Sequence, residues 1–358
     1  MPNKLEGTGI YTLRMLEQII PAHPQHQFLL IWDRPSAGPG MRKAHAFLNA
    51  KNVQHITVLP PARHPWLWWY WNSIGVPAAL QRAKADLYWS PDGLPARTKV
   101  AQWLTIHDLN FEHHPEWVPT HVGKYYRKHI RRGARIASQI FTVSEWSAND
   151  LVHTYGIAAS KIAITRNAPQ RKFTPGPSGF SGPYFCAVGA LTPRKNLITL
   201  IKAFDQFLAN HNRENFKLRI AGTAHFNDPA FNEAFKGIIH RDKIEWLGRC
   251  EDDQLEELYR GATAFCMPSA MEGFGIPIVE AMQCGTPVIA SDNSALTEVV
   301  GGAGMLVPTY DVLAWVEALE HMASHANEWI EKSLNHGTNF DWTQSAEPFL
   351  TALKNHEE

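Results

Sequence analysis

Short apolar runs alternate with stretches of helical spacing along most of the chain. Residues 27–32, 53–59, 86–90, 99–107 and 139–143 read as strands, and helices are expected over 41–51, 67–84, 118–136 and 147–155. Repeated strand and helix of this kind argue for a parallel sheet covered on both faces. A second alternating series starts at Tyr184 and runs to about His325, and a closing helix is expected from Trp342 onward. Between the series, residues 174–183 concentrate Pro, Gly and Ser, which marks a linker. The expected organisation is a first domain over 1–173, a linker over 174–183, a second domain over 184–341 and a final helix over 342–358.

Composition supports two domains and narrows the class. At 358 residues the chain exceeds what one core usually serves. Lys plus Arg and Asp plus Glu number 34 each, so there is no overall basic field to capture nucleic acid, and a charged partner must meet a local patch. Cys186, Cys250, Cys266 and Cys284 lack metal-ligand spacing and read as buried thiols in a reducing compartment. The first residues carry no apolar signal core, and no run approaches the roughly 18 apolar residues of a membrane span. A cytoplasmic protein is the expectation.

The chemistry concentrates between Pro268 and Ala290. A strand over 263–267 leads into a loop with Glu272 and the turn Gly273-Phe274-Gly275, followed by a helix with Pro277 in its first turn, where a missing N–H costs nothing. The glycines bring backbone N–H groups close to a ligand at a helix start, where the dipole favours negative charge. Glu280 is expected in the first turn and Glu272 just before it, so both carboxylates should sit near one strand end. There a carboxylate can accept two hydroxyls of one ring. A second cluster follows the strand 184–188, where Gly189 leads to Arg194 and Lys195 at a helix N-terminus. Two cations there suit a diphosphate. In the first domain the strand before His107 and Asp108 places an imidazole at a strand end, able to hydrogen-bond a hydroxyl or a departing group, while Asp108 can brace the loop. Gly7, Thr8 and Gly9 read as a glycine loop opening a helix that contains Tyr11.

The spacing Glu272 to Glu280 around GFG-x-P, the run GA-x-x-PRKN from Gly189, and HDL with PEW after His107 together resemble the retaining glycosyltransferases of family 4. The resemblance covers nearly the whole chain and is strongest in the second domain. It implies an α/β GT-B fold, with two Rossmann-like domains whose parallel sheets face a central cleft. It further implies that Glu280 holds the ribose of a sugar nucleotide, that Glu272 with the backbone of Gly273, Phe274 and Gly275 holds the transferred sugar, and that Arg194 and Lys195 bind the diphosphate, so that no metal or other cofactor is needed. Gly189, Gly7 and Gly9 would lie beside the donor, His107 beside the reacting sugar, and Tyr11 and Asp108 on the acceptor side. PRKN with HDL-x-F-x-x-x-PEW resembles bacterial mannosyltransferases of surface polysaccharide synthesis, so GDP-mannose is the first donor expected. In that family a buried strand precedes the first glycine loop. Only six residues precede Gly7 here, so that strand either lies upstream of this start or is missing.

Two stretches bear on the acceptor. Trp66-Leu67-Trp68-Trp69-Tyr70-Trp71 is an aromatic concentration, and residues 124–135 form a basic, partly amphipathic helix. Together they suit peripheral contact with the anionic inner face of a membrane, and hence a glycan carried on a polyprenyl diphosphate. Equally, the tryptophans can fill a core and the helix can be a solvated face. Two rival functions stand beside transfer: a non-catalytic subunit that binds sugar nucleotide or a partner transferase, and a sugar-nucleotide epimerase or hydrolase on the same scaffold.

Overall fold

The structure, a computed structural model, describes residues 7–33, 42–62, 64–209, 213–222 and 229–357. The chain divides into two compact units, Met1–Asn167 with Trp342–Glu358, and Ala168–Asp341.

The strands of the first unit are β1 (Phe28–Trp32), β2 (Val53–Thr57), β3 (Leu87–Ser90), β4 (Ala101–Thr105), β5 (Gln139–Thr142) and β6 (Ile162–Ile164). They form two parallel sheets, β1-β2 and β3-β4-β5-β6. Ile31 of β1 and Tyr88 of β3 pack against one small core with Val76 and Leu80. Residues 1–6 lie outside the described residues, and among those described no strand precedes the first helix. That helix, Gly7–Ala22, already includes Gly7, Thr8 and Gly9, so the expected glycine loop is instead a helical first turn, with Thr12 Oγ1 donating to the Thr8 carbonyl at 2.7 Å. Trp342–Glu357 is a helix of this unit, and Phe349 packs its ring against Trp89, Trp103 and Phe141 at centroid distances of 4.9, 5.3 and 4.7 Å.

Two helix expectations change. Over 41–51, where Met41 lies outside the described residues, residues 42–44 are helical and Ala46–Asn49 is a separate 3₁₀ turn, so the expected helix is broken at His45. The helix expected over 67–84 starts at Pro65 and is interrupted by a wide π turn, Trp71–Gly75, before it resumes as Val76–Ala83. Pro77 has no N–H for the carbonyl four residues back, which accounts for the widened turn. Gly75 is required there, because a Cβ would meet Cγ1 of Val58 at 2.3 Å.

The second unit has one six-stranded parallel sheet, made of β7 (Tyr184–Val188), β8 (Lys217–Ala221), β9 (Ile244–Gly248), β10 (Ala264–Met267), β11 (Val288–Ser291) and β12 (Met305–Val307). Their order is β12-β11-β10-β7-β8-β9. Helices cover it, and its core gathers Phe185, Phe204, Phe207, Phe216 and Trp315. The chain runs outward from β7 to β9, then returns to the other side of β7 with β10. This reversal opens a crevice beyond the carboxyl ends of β7 and β10, where open α/β sheets bind ligands. The Pro/Gly-rich stretch 174–183 belongs to this unit and is tied down. The Thr174 amide donates to Glu256 at 2.9 Å, and Ser178 Oγ donates to the Glu257 carbonyl at 2.8 Å.

Candidate active site

Both loops at the reversal point carry the residues singled out by their chemistry. After β7, Pro193–Lys195 makes a 3₁₀ turn that Asn196 ends in the left-handed region at φ 48°, a conformation Asn tolerates better than most residues. Asn196 fixes this turn to its neighbours: Nδ2 donates to the carbonyls of Pro268 at 3.1 Å and Thr309 at 2.9 Å, and Oδ1 accepts from Thr199 at 2.8 Å. The turn then aims Arg194 and Lys195 at the loop after β10.

There they meet Glu272. Lys195 Nζ stands 2.7 Å from Oε1 of Glu272, and Arg194 Nη1 stands 2.5 Å from Oε2 and 3.0 Å from the Met271 carbonyl oxygen. The Glu272 side chain is only 11% exposed. Burial alone would push its carboxyl up, but Lys195 and Arg194 outweigh burial and hold it at about 2. Glu272 is therefore ionised at neutral pH, and the three side chains leave a local charge of plus one. Ser294 Oγ, held by Asn293 at 2.6 Å, accepts from the Glu272 amide at 3.0 Å and sets the loop.

The glycines act by what they leave out. The alkyl chain of Lys195 lies over Gly189, where a Cβ would meet its Cε at 3.1 Å and displace the amine. Gly273, Phe274 and Gly275 are buried, and Phe274 stacks edge-on to Phe340 at 5.8 Å. Gly275 caps the helix Ile276–Gln283 at φ 109°, in the left-handed half of backbone space open to glycine.

Glu280 is the fifth residue of that helix, so it lies in the second turn and not the first as expected, because the helix begins only at Ile276. It has a different partner from Glu272. The hydroxyl of Tyr259, on the helix Asp252–Arg260, donates to its Oε2 at 2.9 Å. Burial pushes the Glu280 carboxyl up to about 7, offset in part by the Tyr259 hydrogen bond. The two carboxyls are thus pushed in opposite directions, Glu272 held as an anion by its cations and Glu280 raised by burial.

In the first unit, His107 follows β4. Its carbonyl accepts from Ser147 Oγ at 3.0 Å, and the preceding Ile106 carbonyl accepts from Thr142 Oγ1 at 2.7 Å. Its ring Nε2 is 3.0 Å from the Pro91 carbonyl oxygen. A carbonyl only accepts, so Nε2 carries the proton and the neutral ring leaves Nδ1 as an acceptor. Burial lowers the pKa of His107, which favours this neutral form, although Pro91 and Asp92 pull the other way. Tyr11, read as an acceptor-side residue, is 1% exposed; it bonds Thr165 Oγ1 at 2.6 Å and sets its ring edge-on to His107 at 4.9 Å. Asp108 braces its own loop, accepting from the Asn110 amide at 3.1 Å. Gly7 and Gly9 stand in the first turn of the helix Gly7–Ala22.

The sequence reading missed Asn196, Ser294 and Tyr259. Asn196 and Ser294 occur at strand-end loops with polar residues in tandem, which is a usable signal. Tyr259 looks like an ordinary apolar position of an amphipathic helix, and no local signal distinguishes it.

The tryptophans divide between the two alternatives. Trp68 is half-buried, stacked on Tyr126 at 5.7 Å with Nε1 donating to the Ala62 carbonyl at 2.7 Å, whereas Trp66 is 77% and Trp69 46% exposed. Beside them the helix Thr120–Ile136 lines a shallow groove of about 500 Å³ with Lys124, Arg127, Lys128, Arg131, Arg132 and Arg135. Among the described residues no helix is long and apolar enough to cross a membrane. All four cysteines are free; Cys186, Cys266 and Cys284 are buried as expected, and Cys250 is partly exposed.

Known proteins match this arrangement over nearly its whole length. The family model for Glycosyltransferase Family 4 matches residues 7–168, and that for Glycosyl transferases group 1 matches residues 173–335. The chain is 28% identical to O-antigen chain mannosyltransferase B of Escherichia coli over 98% of its own length and 96% of the relative's. It is 27% identical to O-antigen chain mannosyltransferase RfbU of Salmonella typhimurium over 62% of its length and 60% of that relative's. Among solved structures, Anabaena HepE, in complex with UDP and glucose, superposes with a TM-score of 0.73 at 18% identity, covering 99% of this chain and 97% of that one. The chain belongs to the glycosyltransferases of the GT-B fold, with a first unit of the Family 4 type and a second unit of the group 1 type.

Proposed function

We propose that the protein transfers a hexose, with retention of configuration, from a nucleoside diphosphate sugar to a glycan or polyprenyl-diphosphate-linked oligosaccharide. The donor we favour is GDP-mannose, on the similarity to O-antigen mannosyltransferases. The observation that carries the reading is the Arg194–Glu272–Lys195 cluster at the reversal point of the second sheet. Its net positive charge offers a diphosphate two cations already oriented, and its ionised carboxylate offers sugar hydroxyls an acceptor. Cations in this position supply the leaving-group stabilisation that other transferases draw from a metal ion, so the reaction we propose needs none. Glu280 takes the ribose hydroxyls, and the backbone from Gly273 to Gly275 lies along the sugar.

In the step we propose, the acceptor oxygen bonds to the anomeric carbon on the face from which the phosphate oxygen departs. The acceptor proton passes to that departing oxygen, so no side-chain nucleophile is consumed. Neutral His107, with Nδ1 free to accept, is suited to orient a hydroxyl of the reacting sugar. The exposed Trp66 and Trp69, together with the basic groove on the helix Thr120–Ile136, suit peripheral attachment at the cytoplasmic face of an anionic membrane, where a lipid-linked acceptor resides.

The test is calorimetric titration of the purified chain with GDP-mannose, UDP-glucose and dTDP-rhamnose without added metal, beside Arg194→Ala and Glu280→Ala. One donor should bind and bind more weakly to both variants, and the anomeric configuration of the product should match the donor. A folded protein that binds none of the three, or a product of inverted configuration, refutes the reading.

A further inference from the structure

Away from these residues, the first unit gathers three metal-ligating side chains at one point. The helix Gly7–Ala22 is followed by a tight turn in which the His26 amide donates to the His23 carbonyl at 3.1 Å. Pro24 stiffens the turn. Asn52 Nδ2 lies 3.4 Å from the His23 carbonyl oxygen and 3.0 Å from that of His26, so a neighbouring loop also pins it. The helix Trp342–Glu357 delivers Glu357 to the same place. Its Oε1 is 3.8 Å from Nδ1 of His23 and hydrogen-bonded to Nε2 of His26. The three ligand atoms lie within 4.8 Å of one another. Gln25 Nε2 sits 3.2 Å from Nδ1 of His23, and since an amide nitrogen only donates, Nδ1 is the unprotonated ring nitrogen, whose lone pair is open to an ion once the exposed Gln25 turns aside.

We propose that His23, His26 and Glu357 bind a divalent ion of the zinc class. Two imidazoles and a carboxylate are a ligand set zinc accepts, leaving a further position to water. At metal–ligand bonds of about 2.0–2.1 Å, tetrahedral ligands stand roughly 3.3 Å apart, which modest side-chain rotation reaches from the present spacing. Magnesium and calcium favour all-oxygen sets and fit poorly. Glu357 is 331 residues from His26 along the chain, so the ion clips the C-terminal helix to the turn after the first helix. The site serves the integrity of the first unit and holds whichever sugar the protein transfers.

Metal-stripped, tag-free full-length protein is titrated with zinc chloride and its Tm recorded, in parallel with His26→Ala, Glu357→Ala and His321→Ala. The first two side chains are 32% and 38% exposed, so their loss leaves the fold standing. His321 stacks on His325 at 4.7 Å in the second unit and represents the competing chelate. One zinc should bind the wild type and raise its Tm. Affinity should fall at least about tenfold in His26→Ala and Glu357→Ala, with the Tm rise lost, and stay unchanged in His321→Ala. Cobalt(II) should give visible ligand-field bands that vanish in the same two variants. Absence of zinc binding, equal binding by both cluster variants, or loss of binding in His321→Ala overturns the proposal.

Discussion

The hydroxyl of Tyr259 donates to Oε2 of Glu280 at 2.9 Å, bonding a carboxyl that burial pushes up to about 7. Because the unfolded chain gives up this proton near 4.5 and the folded chain only near 7, stability falls as pH rises between those values. Above pH 7 the ionised carboxylate costs the fold on the order of 3 kcal/mol. Glu280→Gln keeps an acceptor for Tyr259 and removes the charge, so at pH 8 it should be more stable than wild type by that order while binding donor more weakly. Chemical denaturation at pH 8 checks the first half, and equal or lower stability would refute it.

The same hydrogen bond favours the ionised form. Donor affinity should therefore weaken as pH falls through about 7 in the wild type, and in Tyr259→Phe the whole limb should move to higher pH. Titrating donor affinity across pH 5.5–8.5, as a trial range around that value, tests it. An unmoved limb would detach Glu280 from the pH dependence.

Glu272 behaves in the opposite sense. With its carboxyl held at about 2, its stabilisation is fully present above about 4.5 and is lost as pH falls toward 2. At pH 7, Glu272→Gln should lose on the order of 3 kcal/mol of stability, because it leaves Arg194 and Lys195 without their counter-charge. The gap to wild type should close as the acid limit is approached. Turnover should drop by about 10²–10³, the range for losing one oriented polar group at a reacting centre. A variant with wild-type stability at pH 7 would contradict the charge assignment.

Much of the candidate site is legible in the sequence, for a physical reason. Strand ends followed by Gly, Pro and paired charges leave a local signature, so Gly189, Arg194, Lys195 and Glu272 stood out in the second unit and, separately, His107 in the first. What stayed hidden depends on packing between distant segments. Tyr259 is 21 residues from its partner. Tyr11 is hydrogen-bonded to Thr165, 154 residues away. Residues 174–183 fall within the second unit, where Thr174 and Ser178 are hydrogen-bonded to Glu256 and Glu257, which composition alone cannot express. The π turn at Trp71–Gly75 is a different case, since Pro77 was in view and its missing donor could have been used.

Gly222, at the end of β8, sits against Gly189. A Cβ at Gly222 would stand 2.0 Å from the Gly189 carbonyl oxygen, and its φ is 149°. Gly222→Ala should cost about 3 kcal/mol or more through clash and backbone strain, and any folded fraction should bind donor weakly because the Gly189 turn carries Lys195. Thermal unfolding measures this, and a Tm within a degree or so of wild type would be the contrary result.

For the basic groove, Lys128→Glu with Arg132→Glu should abolish sedimentation with vesicles rich in phosphatidylglycerol. Each cation near an anionic surface contributes about 1 kcal/mol, and the interaction should weaken with salt. Trp66→Ser should weaken binding less steeply with salt, since its contribution is apolar. Equal sedimentation of the charge-reversed and wild-type proteins would return the groove to the status of a solvated face.

The helix Trp342–Glu357 packs into the core of the first unit, yet it is made after the entire second unit. At about 5–20 residues per second, the ribosome needs on the order of ten seconds or more to cross the second unit. During that time Trp89, Trp103 and Phe141 lack Phe349. Birth order and completion order are thus reversed in this chain: the first unit to emerge is the last to close its core, and its nascent form offers aromatic surface to a chaperone.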